Sequence, residues 1–204
     1  MNRMRALTRW SAALLLAPLL TACAGATTGG ATPTATPAPT ATVTHTPAPT
    51  ATNTPSSYPV KVYFSKHPDS DNTPTKTFAV SRVSPTLGVA TYAIGQLFAG
   101  PTAAEQSAGY YTPWAGIFSG SSNCGGPTFK ITLDHRGPTP ATGVATLQLC
   151  KQTQLPGDLA GARASATATA TLLQFSNIQK VVILNAQGSC FDDLSGMNLC
   201  LSGS

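Results

Sequence analysis

The chain has 204 residues, 42% of them hydrophobic and only 9% charged, with 12 Lys and Arg against 7 Asp and Glu and a formal net charge of +5. So few charges leave solubility to Thr, Ser, Gln, Asn and Gly. No Lys/Arg stripe tracks a phosphate backbone, so nucleic acid is not an expected partner.

Residues 1–22 read as a leader, with Arg3, Arg5 and Arg9 as its basic start, Ala12 to Leu20 as a short apolar stretch and Ala22 as the small residue before a cut. An apolar run this short does not cross a bilayer of roughly 30 Å as a helix. Leu20-Thr21-Ala22-Cys23 resembles a bacterial lipobox, which implies cleavage before Cys23 and lipidation of its thiol. The expected location is then the cell membrane, lipid-anchored, on the extracytoplasmic side; the alternative is an ordinary secretory signal with a cysteine nearby by chance. Three of the basic residues and none of the acidic ones lie in the leader, so nine against seven remain beyond it, a net charge of +2.

Residues 23–57 follow as the lipidated Cys23 and a Thr/Pro-rich linker. This stretch has almost no large apolar side chain and cannot offset the entropy of folding. Thr34 to Thr42 (TATPAPTAT) recurs as Thr44 to Thr52 (THTPAPTAT), a low-complexity repeat. Polyproline II at about 3.1 Å per residue gives such a linker a reach on the order of 100 Å.

Residues 58–204 are one domain's worth of chain. Val60 to Phe64 and Phe78 to Val83 alternate as strands, with His67 to Lys76 as a polar turn between them. Leu87, Ala90, Ile94, Leu97 and Phe98 recur at helical spacing, with Ser84 or Thr86 as the cap and Pro85 at the first helical position. Gly100 and Pro101 stop that helix, and Thr102 with Glu105 has the S/T-x-x-E pattern of a capping box opening a further helical turn. Tyr110, Tyr111, Trp114 and Phe118 lie in an irregular Gly/Ser-rich stretch and are the candidate partner surface, with core packing as the competing account. Phe129 to Leu133 and Val144 to Leu149 pair as a hairpin. Leu159 to Phe175 reads as an Ala-rich helix with Leu159, Ala162, Ala166, Ala170 and Leu173 as its apolar positions, weakened by Thr167, Thr169 and Thr171. Val181 to Leu184 is a last, covered strand. The expected fold is a single α+β domain in the order β-β-α-β-β-α-β, with a mixed or antiparallel sheet and two main helices.

With Cys23 lipidated, Cys124, Cys150, Cys190 and Cys200 form an even set in an oxidising compartment, which reads as two disulfides. Four cysteines permit three connectivities, and spacing favours Cys124 with Cys150 and Cys190 with Cys200. A zinc site has no CxxC pair to start from, and His45, His67 and His135 are scattered.

The element order, with Leu97-Phe98-Ala99-Gly100-Pro101-Thr102 and Glu105 at its corner, Val62-Tyr63-Phe64 at its start and Arg82 after the second strand, resembles the GerMN domain over Val60 to Gly188. The resemblance implies an α+β module on exported, often lipid-anchored proteins linked to the cell envelope or to sporulation and germination, without established catalytic residues. Gly100, Pro101, Thr102, Glu105 and Arg82 are its motif positions here. The glycine-rich segment around Cys124, the two bridges and the Thr/Pro stalk depart from it, so the sporulation role is not carried over.

His67, His135, Asp134, Glu105, Asp192 and Asp193 are the candidate acids, bases and nucleophile partners, and none sits in a recognisable catalytic motif. Asp69-Ser70-Asp71-Asn72-Thr73 begins like a calcium loop, but Pro74 and Val80 occupy positions that need Gly and an acid. The expectation is a non-enzymatic envelope protein that needs no cofactor or metal and contacts another envelope protein or itself. The alternative is a glycan or small-solute binder using Tyr110 to Phe118.

Overall fold

Val60, Val62 and Phe64 bury alternate side chains while Lys61 and Tyr63 face the other way, and this period of two makes β1 (Tyr58–Lys66) a half-buried strand. The computed structural model that carries it describes residues 57–157 and 159–202, so the leader, Cys23 and nearly all of the linker lie outside the described residues. β1 pairs antiparallel with β2 (Phe78–Ser84), Tyr58 opposite Ser84, and its far end pairs with β3 (Tyr110–Tyr111). The polar turn between β1 and β2 winds into a short helix, α1 (Asp69–Asn72).

The first long helix, α2, runs Val89–Ala99, later than the caps at Ser84 or Thr86 predict. Ser84 spends its hydroxyl on a local turn, donating to the Thr86 carbonyl at 2.8 Å, and Gly88 precedes the first helical residue. Leu87 therefore stands outside the helix and 79% exposed, while Ala93, Ile94 and Leu97 are buried. Gly100 closes the helix at φ +90°, a backbone conformation that favours glycine, and α3 (Ala103–Ser107) starts three residues later.

After β4 (Phe118–Ser119), β5 (Phe129–Arg136) and β6 (Thr139–Leu149) form the expected hairpin, Phe129 opposite Leu149, with a bulge between Leu133 and His135 where Asp134 takes φ +55°. β7 (Gln152–Thr153) pairs with β4, and β8 (Lys180–Leu184) runs parallel to β6. The strands thus divide among three ladders, β2-β1-β3, β4-β7 and β5-β6-β8. The long elements keep the order β-β-α-β-β-α-β in one α+β domain.

The helix between β7 and β8, α4 (Ala160–Leu173), buries a different face from the one its apolar spacing suggests. Ala160, Gly161, Ala164, Thr167, Ala168, Thr171 and Leu172 face inward, whereas Leu159 and Leu173 are exposed and Ala162, Ala166 and Ala170 half-buried. The threonines are tolerated there because each has a partner. The Thr171 hydroxyl accepts from the Tyr63 amide at 3.0 Å, and Thr167 accepts from the Trp114 indole N–H at 3.1 Å. Gln174 adds a two-point contact with Lys61, accepting from its amide at 2.7 Å and donating to its carbonyl at 2.6 Å. Helix side chains thereby occupy the stretch of β1 edge that β3 leaves uncovered.

One core joins β1, α2, α4, β6 and β8 with the segment after α3. Phe98 lies at its aromatic centre, its ring 4.6 Å from Trp114, 5.0 Å from Phe118 and 5.1 Å from Phe129. Both expected disulfides are present, Cys124 to Cys150 and Cys190 to Cys200, with Cα separations of 5.5 and 5.9 Å.

Candidate functional site

The corner after α2 is built by local chemistry. Thr102 accepts from the Glu105 amide and Glu105 accepts from the Thr102 amide at 2.8 Å, the reciprocal box expected from the sequence. The second role of Glu105 is not visible in the sequence. Its two carboxylate oxygens receive both terminal nitrogens of Arg82 at 2.7 and 2.6 Å, across 23 residues. Both side chains are mostly buried, and the Arg82 guanidinium lies 5.9 Å from the Phe64 ring centre. The hydrogen bond from Arg82 holds the Glu105 carboxyl below its usual range, aided by Thr102 and opposed by desolvation. The same bond raises the Arg82 pKa. Arg82, Thr102 and Glu105 are therefore joined in one clamp that fixes α3 to β2, while Gly100 gives its amide to the Gln96 carbonyl.

The aromatic segment that follows is largely interior, which corrects the reading of Trp114 and Phe118 as surface. Trp114 is 1% exposed, and its ring stacks 5.5 Å from Phe191 and 5.9 Å from Phe118. A buried indole needs a hydrogen-bond acceptor, and Thr167 supplies one. Phe118 and Tyr110 are half-buried against the same core. Tyr110 and Tyr111 retain a solvent-facing edge and line a cleft of about 380 Å³ with His67, Gly100, Pro101, Gln106 and Thr112. His67 stacks on Tyr111 at 4.3 Å and meets the Asp71 carboxylate at 2.8 Å, while Gln106 donates to the Pro101 carbonyl. His67 thus has a carboxylate neighbour, a pairing that sequence spacing hid because α1 was read as a turn.

A second concavity has a different character. Leu87, Val89, Ala90, Ile131, Leu133, Phe175 and Ile178 border a groove of about 290 Å³ between the start of α2 and β5, and no charged side chain lines it. Leu87 is 79% and Leu133 43% exposed beside it.

The loop closed by Cys190 and Cys200 is filled with its own polar side chains. Asp193 accepts from the amides of Ser195 at 2.9 Å and Asn198 at 2.7 Å, and Asn198 accepts from the Cys190 amide at 2.8 Å. The Ser195 hydroxyl, which also donates to Asp193, holds that carboxyl below its usual range, aided by the Asn198 and Ser195 amides. Burial instead pushes the Asp192 carboxyl up. Asp192 rests against Gly161, where an added Cβ would come within 1.9 Å of a carboxylate oxygen. The two aspartates therefore have separate structural roles.

Among the remaining candidates, His135 turns its Nδ1 to the Leu133 carbonyl at 3.0 Å and Asp134 accepts from the Gly143 amide at 2.9 Å, so both shape the end of the hairpin. Among the described residues no group of three or more His, Cys, Asp or Glu is placed to hold a metal ion, and no helix is long and apolar enough to cross a membrane. No protein-family model, curated protein or solved structure matches the chain.

Proposed function

We propose that this chain is a lipid-anchored, extracytoplasmic envelope protein whose GerMN-like domain makes protein contacts rather than catalysing a reaction. The observation that carries the reading is the uncharged, mostly apolar groove at whose rim Leu87 and Leu133 are left to solvent. The clamp of Arg82 with Glu105 supports it from the other side, because the polar residues of the corner brace the fold. The leader and Cys23 supply the address, and the Thr/Pro run supplies the reach.

The test is isolation of the full chain from detergent-solubilised envelope, beside a Leu87→Glu variant. A partner held in defined proportion by the parent and lost from the variant supports the reading. A chain that retains nothing and stays monomeric at high concentration overturns it, and globomycin-insensitive processing with an unmodified Cys23 overturns the anchor.

A second reading, glycan or small-solute binding, rests on the cleft at Tyr110, Tyr111 and His67, where aromatic edges and polar groups meet. Titration with cell-wall fragments should then quench tyrosine emission in the parent and not in Tyr111→Ala. Equal traces would remove it.

A further inference from the structure

The loop between Cys190 and Cys200 presents apolar side chains that its own fold does not use. Leu194 is 98% exposed, and Met197 and Leu199 also stand largely in solvent. Nowhere else among the described residues do three exposed large apolar side chains fall within six positions of the chain. A side chain as bare as Leu194 is convex, the shape of a group that inserts rather than of one that receives. The disulfide closes the base of the loop, so the display is held without an ordering cost on contact.

The backbone around these side chains has most of its polar groups matched within the loop. The Asp193 carboxylate accepts from the Ser195 amide at 2.9 Å and the Asn198 amide at 2.7 Å, and the Ser195 hydroxyl accepts from the Met197 amide at 3.2 Å. The Leu201 and Ser202 amides donate to the Asn198 and Leu199 carbonyls at 2.9 and 3.2 Å, and the Asn198 side chain donates to the Gly196 carbonyl at 3.3 Å. A loop so matched offers little to a partner strand, which is recognised through open main-chain groups. It loses little on leaving water, where each unmatched group would be costly. The tip from Leu194 to Leu199 also lacks Trp, Tyr and Arg, the side chains that dominate protein hot spots.

Charge points the same way. Arg136 donates to the Ser202 carbonyl, which puts a cation at the foot of the loop, the sign that lipid phosphates attract. Of the nearby acids, Asp193 gives its carboxylate to the loop's own amides and Asp192 rests against Gly161. The length of chain before the domain names the occupant. With Cys23 read as lipidated, that chain ends in a bilayer, and its reach on the order of 100 Å exceeds the width of a domain of this size, about 40 Å. We infer that the loop 190–200 inserts Leu194, Met197 and Leu199 into the headgroup and acyl boundary of the phospholipid bilayer to which the chain is anchored. The inference rests on the anchor reading and goes beyond the protein-contact one, because it gives the domain a second hold on the membrane.

The experiment uses the full chain reconstituted through its anchor into vesicles of phosphatidylcholine with a minority of phosphatidylglycerol, with and without bromine on the acyl chains. Bromine quenches tryptophan only on close approach, and the chain's one tryptophan beyond the leader, Trp114, is 1% exposed. Leu194→Trp should therefore lose emission roughly three-fold in the brominated vesicles, as a side chain at the headgroup and acyl boundary does. The parent and Leu173→Trp, at the far end of α4 from Gly161, should stay unquenched. Adding Met197→Asp and Leu199→Asp to Leu194→Trp should restore its emission. Equal quenching of Leu194→Trp and Leu173→Trp, quenching that survives both aspartates, or an emission shift given by envelope protein and not by the bilayer would each overturn the inference. An unmodified Cys23, read by intact mass, would overturn the anchor reading and the inference with it. A lipidated chain with unquenched Leu194→Trp would overturn the loop's role alone, so the two failures are distinguishable.

Discussion

The segment 110–118 turns its apolar side chains inward, whereas the loop 190–200 turns most of its own outward. Trp114 is 1% exposed, while Leu194, Met197 and Leu199 are 98%, 68% and 62% exposed. Both stretches are short, irregular and rich in small residues, so hydrophobicity does not separate them. What separates them is where the polar groups are satisfied. Trp114 finds Thr167 on a distant helix and aromatic rings around it, so burial leaves nothing unpaired. In the disulfide loop Asp193 and Asn198 bond the loop's own backbone, and Leu194, Met197 and Leu199 stay exposed around them. Phe191 is the exception, and it is the residue through which the two segments touch.

The largest test of this contrast is Trp114→Ala, which should destabilise the domain by about 3–5 kcal/mol in chemical denaturation, since it removes a buried ring and orphans the core around it. Replacing Cys190 and Cys200 together by serine should cost about 2–3 kcal/mol, given the 10-residue separation they close, and should raise amide exchange in 190–200 before 110–118. Glu105→Gln weakens the clamp that leads the chain into 110–118 and should cost about 1–2 kcal/mol at neutral pH. That variant also has a pH signature. The folded-state pKa values of Glu105 and Asp193 lie below their unfolded values, so the stability they supply is present above the unfolded carboxyl range and is lost as pH falls through the folded values. Asp192 is raised and works in the opposite sense, favouring the fold at low pH. Melting curves from pH 5 downward should therefore fall less steeply in Glu105→Gln than in the parent, and parallel slopes would sink that account. The smallest effect is Leu194→Ala, expected to shift stability by no more than about 0.5 kcal/mol, because the side chain it truncates packs on nothing.

Much of the fold is legible in the residues because local rules set it. The period of two in Val60 to Phe64, the Gly100-Pro101 stop, the Thr102 and Glu105 box and the spacing of four cysteines each act within a few positions or a short loop. The failures share a cause as well. Arg82 and Glu105 are 23 positions apart, and nothing in either neighbourhood announces their pairing. The buried face of α4 was hidden because its inward threonines are matched by Tyr63 and Trp114, far away in the chain. The sequence leaves Trp114 open between surface and core because the ring of Phe98 and the hydroxyl of Thr167 that enclose it come from other elements. Cys23, read from the sequence as a lipidation site, lies outside the described residues.

Gln174 also has a mechanical meaning. The preceding chain enters the domain at β1, so any pull on it arrives first at Tyr58 to Lys61. There the strand is held on one side by the ladder to Ser84–Arg82 and on the other by the two-point grip of Gln174 at the end of α4. A load on that end of the domain is thus shared at once between a sheet and a helix, and the start of β1 cannot peel away without releasing both.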